Sequence, residues 1–161
     1  MKRYGFTLIE LIFVIVVLGI LAAVAIPRIG SNVVHAQIAK AKGDVSAIRT
    51  AIASARQKGL VKGINAYPSK LDNGATTAVG QKIFDNNGTG SSDVGILNYP
   101  IYTKNDGWMK VSGPAAGISV YSISINNTSV PFSYDSSDGT FDCNHNHADA
   151  TIKKYCKKIA E

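Results

Sequence analysis

Glu10 is a carboxylate set inside an apolar run. Residues 5–10 read Gly-Phe-Thr-Leu-Ile-Glu, and hydrophobic side chains continue to Ile26. A charge at mid-bilayer costs roughly 2.5–3.5 kcal/mol on insertion scales, so a carboxylate there calls for a positive partner. A short basic leader, Met1-Lys2-Arg3-Tyr4-Gly5, precedes the run. Cutting between Gly5 and Phe6 would create an α-amine, the best candidate for that partner. Two unit charges about 4 Å apart attract by roughly 4 kcal/mol at an effective dielectric near 20. The amine can belong to the same chain, because Phe6 and Glu10 lie four apart on a helix, or to a neighbouring copy. The first pairing suits an isolated chain and the second an assembly.

Other residue sets carry weaker signals. Lys2 and Arg3 ahead of the span keep that end cytoplasmic and send the bulk of the chain outward. Export places Cys143 and Cys156 in an oxidising compartment, where a disulfide is the default. Cys143, His145 and His147 alternate, and on a strand they would share one face, as a metal site needs. No acid or third histidine completes that set, and the thiol is better used with Cys156. Asn87 opens a glycosylation sequon with Asp85 two residues before it, while Asn126 and Asn127 open sequons without such an acid. A polar loop is the plainer account of all three. Lys153, Lys154, Lys157 and Lys158 surround Tyr155 and could contact phosphates while the ring stacks. A solvated helix face is the plainer account there. The net charge of +6 over 161 residues is a mild basic excess, not a nucleic-acid signature by itself. No nucleophile–base pair, Gly-rich phosphate loop or metalloprotease motif is present, so the chain does not read as an enzyme.

The elements that position these residues follow from periodicity. At about 1.5 Å per residue the run from Phe6 to Ile26 spans the roughly 30 Å hydrocarbon core. A secretory signal is cut after its apolar core, whereas here the cut precedes it and the segment stays. Beyond it Val34, Ile38, Ala41, Val45, Ile48, Ile52 and Ala55 alternate by four and three, one stripe on a helix that needs a sheet to cover it. Gly59 is the expected C-cap. Pro27 and Gly19 should kink or loosen the helix near Ala23. Residues 60–107 read as a long polar loop with short elements. Strand signals fall at Trp108–Ser112, Ile118–Asn126, Phe132–Tyr134 and Thr140–Cys143, with turns at Asn127-Thr128-Ser129 and Ser136-Ser137-Asp138-Gly139. Alternation slips at Val120-Tyr121, a bulge signal. The tail from Ala148 to Ile159 has one apolar face: Ile152, Tyr155, Cys156 and Ile159.

The N-terminus resembles that of type IV pilins and of the pseudopilins of type II secretion systems. Gly5 before the cut, Phe6 after it, Glu10, Gly19 and Pro27 carry the resemblance, which covers about residues 1–55. It implies an α+β pilin-like fold, a long N-terminal helix, half in the membrane, packed on a small antiparallel sheet. The implied organisation is a cleaved leader at 1–5, a transmembrane and assembly helix at 6–27 and an exported domain at 28–161. Within that domain the expected parts are an amphipathic helix at 28–58, a variable loop at 60–107, a sheet at 108–143 and a C-terminal helix at 144–161. The resemblance also implies a structural role in a homo-oligomeric filament of the cell surface or periplasm. The subunit would first sit in the inner membrane, its amine at Phe6 methylated. Prepilin peptidase, an inner-membrane platform and a cytoplasmic ATPase are the implied partners. In the family the Gly-to-Pro segment unwinds on assembly, and Glu10 meets the Phe6 amine of a neighbour. Major pseudopilins bind calcium in a C-terminal loop, for which Asp135, Asp138 and Asp142 are the counterparts, though their spacing is also that of an ordinary turn. No other cofactor is implied. The cysteine pair resembles the disulfide-bounded region of type IV pilins, and the alternative is a pseudopilin of type II secretion or of a competence system, where the basic tail could bind DNA.

Overall fold

The computed structural model describes residues 5–73, 77–85 and 96–161. The chain forms two compact units, Met1–Ala36 and Gln37–Glu161. Among the described residues helix α1 runs Leu8–Val61 and is followed by six strands and a second helix. Its helical assignment continues through Gly19 and position 27, without the break a glycine and a proline would favour.

In the second unit α1 buries the apolar stripe at Ala41, Val45, Ile48, Ile52 and Ala55. The helix does not stop at Gly59. The amide of Ile64 donates to Gly59 O at 2.9 Å and that of Gly63 to Leu60 O at 3.0 Å. Gly63 sits at φ +79°. This 6→1 and 5→2 pair around a left-handed residue is a Schellman ending, so Gly63 terminates the helix and Gly59 supplies only an acceptor.

The main sheet has the order β3-β4-β5-β6, all antiparallel: Trp108–Ala115, Ile118–Ile125, Thr128–Asp135 and Phe141–Cys143. A separate two-stranded piece, β1 (Lys82–Ile83) with β2 (Ile101–Tyr102), lies in the 60–107 region. The β4–β5 turn is Asn126-Asn127, at φ 49° and 60°, and not 127–129. Two successive left-handed residues give the twist a two-residue hairpin needs, and asparagine tolerates that region where β-branched Thr128 does not. Register slips opposite Val120–Tyr121, as the alternation suggested, but the extra residue, Val111, is on the partner strand: Lys110 pairs Tyr121 and Ser112 pairs Val120. A second slip follows at Gly113, where a Cβ would lie 2.6 Å from Ser119 Cα.

The core is aromatic. Phe84, Trp108, Tyr121, Phe132 and Phe141 are buried, with ring centroids 4.7 to 6.0 Å apart. Phe84 comes from the loop region and holds φ 59°, unusual for a bulky side chain. The same region sends Asp72 inward, where Lys110 Nζ meets Oδ1 and Tyr121 Oη donates to Oδ2, both at 2.6 Å. Tyr134 Oη donates to Pro68 O at 2.6 Å. The loop is therefore part of the core layer and not a solvated excursion.

Helix α2 (Ala150–Ala160) is pinned from two sides. Cys156 is joined to Cys143 of β6, with Cα atoms 5.8 Å apart and a sequence separation of 13. Arg49 of α1 donates from Nε to Phe141 O, from Nη1 to Ala160 O and from Nη2 to Asp142 Oδ1, at 2.9, 2.9 and 3.0 Å. One guanidinium thus ties α1, β6 and the end of α2 together, a use of its planar fork that lysine could not copy.

Candidate functional site

The N-terminal segment carries the strongest chemistry. Helix α1 starts with Thr7-Leu8-Ile9-Glu10. The Thr7 amide donates to Glu10 Oε2 at 2.9 Å, the Thr7 hydroxyl donates to the same oxygen at 2.7 Å, and the Glu10 amide donates back to Thr7 Oγ1 at 3.4 Å. This is a capping box, in which an N-cap threonine and a glutamate three residues on satisfy each other's amides. The Thr-x-x-Glu pattern immediately before an apolar run is the sequence signal for this cap. In the uncut chain the nitrogen of Phe6 is a peptide nitrogen with no charge to offer, and the carboxylate turns to Thr7.

Around this cap the surface is apolar and open. Phe6 is 78% exposed, and the large side chains from Leu8 to Val24 are exposed too. Among the described residues nothing covers this run, and such surfaces mark membrane or protein contact. A Cβ at Gly19 would meet nothing within 4 Å, so the free chain places no steric demand for glycine there. Among the described residues no helix is long and apolar enough to cross a membrane. The described side chains of the run end at Val24, inside the 6–27 segment expected to span.

The remaining candidates are placed as follows. Strand β6 ends at Cys143, so His145 and His147 lie in the following loop and not on one strand face. His145 Nε2 stands 3.3 Å from Asp142 Oδ2, and His147 Nδ1 accepts the Asp149 amide at 3.1 Å. Cys143, His145 and Cys156 bring their ligand atoms within 4.8 Å of one another, with both sulfurs spent in the disulfide. The three aspartates do different work. Asp135 Oδ1 accepts from Ser137 N and Oγ, Asp138 Oδ1 from Thr140 N and Oγ1, and Asp142 takes Arg49. Asn126 and Asn127 form the exposed β4–β5 turn, and Asn87 lies outside the described residues. On α2, Lys154, Lys157 and Lys158 are exposed and Lys153 is half-buried, while Tyr155 is buried and unavailable for stacking.

Asp149 caps α2 and makes its stability sensitive to acid. The amides of Ile152 and Thr151 donate to its carboxylate, which holds its pKa below the ordinary 3.8. A carboxyl lowered in the folded state stabilises above its unfolded pKa, and that contribution is lost as pH falls through the folded value. The expected result is that Asp149→Asn, which still caps, shows a flatter loss of thermal stability than wild type on acidification. Melting curves across the range below about pH 5 check this.

Comparison with known proteins agrees with the class this segment defines. Residues 1–26 match the prokaryotic N-terminal methylation motif. In that segment the chain is similar to prepilin-type proteins, and the curated relatives it matches are type IV fimbrial proteins and a type II secretion core protein. It is 47% identical over 51 residues to type II secretion system core protein G of Pseudomonas aeruginosa, covering 32% of this chain and 36% of that one. It is 35% identical over 96 residues to a fimbrial protein of Pseudomonas aeruginosa, covering 58% and 59%. Type IV major fimbrial protein FimA of Dichelobacter nodosus is 44% identical over 48 residues, covering 30% and 31%. The chain thus spans between 31% and 59% of the length of these relatives. No solved structure matches it significantly.

Proposed function

We propose that this protein is a structural subunit of a type IV pilus-like filament. The observation that carries this reading is Glu10 in an uncovered apolar helix behind a Gly5-Phe6 junction. Both Thr7 bonds fall on Oε2, and among the described residues Oε1 accepts none. The carboxylate can keep its cap and still receive a second donor. Prepilin peptidase would cut after Gly5, and the Phe6 amine, methylated, would meet Glu10 of a neighbour. Before assembly the 6–27 segment would hold the subunit in the inner membrane, N-terminus inside. A membrane platform and a cytoplasmic ATPase would then extract and stack it.

The alternative is a pseudopilin of a type II secretion or competence system. The pilin reading is favoured because similarity to a fimbrial protein runs over 96 residues, well past the N-terminal helix, against 51 for the secretion protein. The lysines of α2 form an exposed basic face suited to phosphate, and salt-dependent retention on DNA would mark the competence variant.

Processing is the direct test. Intact-mass spectrometry of membrane-extracted protein should show residues 1–5 missing and one methyl group added at Phe6. A mature chain still beginning at Met1 would remove the basis of the reading.

A further inference from the structure

The Lys110–Asp72–Tyr121 cluster belongs to the second unit and has chemistry of its own. Lys110 is 6% exposed, Asp72 1% and Tyr121 fully buried. Lys110 Nζ touches Asp72 Oδ1, and Tyr121 Oη donates to Oδ2, each at 2.6 Å. The Tyr121 ring lies 4.7 Å from Phe84 and 6.0 Å from Phe141, so the cluster borders the aromatic core. Taking an ammonium and a carboxylate out of water is costly for both. One proton passed from Nζ to Oδ1 leaves a neutral amine, a nucleophile, held against a carboxylic acid.

We infer that Lys110 and Asp72 condense to an intramolecular amide, with Tyr121 holding the oxygen that becomes its carbonyl. The step balances without a co-reactant. The ammonium gives a first proton to Oδ1, and the Nζ lone pair attacks Cγ. A second Nζ proton moves to Oδ1 as the Cγ–Oδ1 bond breaks, and one water leaves. The last Nζ proton stays on the amide nitrogen. Oδ2 bears negative charge in the tetrahedral intermediate and keeps the Tyr121 hydrogen bond, as an oxyanion donor should. Burial first, and then the Asp72 charge, push the Tyr121 hydroxyl well above its ordinary 10, so it remains a donor. Fixed geometry replaces the entropy of bringing amine and acid together, and exclusion of water from the site disfavours the reverse reaction. The bond would fasten the 60–107 region to β3 covalently, independently of the disulfide.

Mass spectrometry of the full chain, denatured and reduced, tests it. The wild-type protein should weigh one water less than its sequence requires. Proteolysis should yield a branched peptide joining the segments that hold Asp72 and Lys110. Lys110→Arg keeps the charge and cannot condense in this way, so its mass should return to the full value. Tyr121→Phe should lower the branched fraction several-fold. Dehydration at Asp106-Gly107 or Asp138-Gly139 would also remove one water, but as a hydroxylamine-sensitive imide without a branch, and finding the loss there overturns the inference. So do unmodified linear peptides containing Asp72 and Lys110 in the wild-type protein, whatever the variants do.

Discussion

Glu10→Gln should abolish filaments while leaving the processed subunit at its normal level in the membrane. Glutamine is as good a partner as glutamate in a capping box, so the Thr7 cap survives and α1 starts where it did. What disappears is the charge. Insertion should be unaffected or improved, because a carboxylate in hydrocarbon is costly. Assembly should fail, because the neighbour's amine would be buried without a counter-ion, at a cost of several kcal/mol. Each 1.4 kcal/mol is a factor of about ten, so filament yield should fall by more than about tenfold. Glu10→Ala loses cap and charge together and should be at least as defective. Filaments at wild-type abundance with glutamine at this position would show that the carboxylate is not the assembly contact.

Removing the disulfide should be the largest change in stability that leaves the fold recognisable. Closing a loop of 13 residues contributes about 3 kcal/mol in the chain-entropy model. Cys143→Ser with Cys156→Ser should lower the denaturation free energy by about that amount, read from urea melts of the full chain. Arg49 still grips Ala160 O, and Tyr155 and Ile159 remain buried. Helix α2 should therefore stay docked but open more often, seen as faster proteolysis near residues 144–149 than elsewhere. Unchanged stability in the double variant would assign the docking of α2 to Arg49 and the buried face alone.

The parts of this chain that were legible in advance are those with local signals. The stripe from Ala41 to Ala55 reads as a helix face because four–three spacing has one interpretation, and those residues are the ones buried. The apolar face of α2 and the four strands of the main sheet are legible for the same reason. Boundaries fail where two local signals compete. Gly59 looked like a terminator, but a glycine can sit inside a helix at modest cost, and the left-handed residue is Gly63. Asn-Asn looked like a strand end followed by a turn, but the two asparagines are the whole turn. The loop region carries the least local signal. Leu71, Asp72, Phe84 and Thr103 are all buried, yet they are isolated in sequence and have no periodicity. Their partners on β3 and β4 lie far along the chain, and Asp72 beside Asn73 resembles any polar turn. At the N-terminus Glu10 carries two signals at once, a charge in an apolar run and the fourth residue of a Thr-x-x-Glu cap, and the capping bond to Thr7 is the one the charge reading does not include.

Whether this chain builds a filament through its N-terminal helix is tested by shearing filaments from cells that express it, imaging them, and weighing the subunit they release. Filaments are expected whose subunit begins at Phe6 and carries the Cys143–Cys156 bond. Sheared fractions without this chain, with the protein held instead as unassembled membrane subunits, would contradict it.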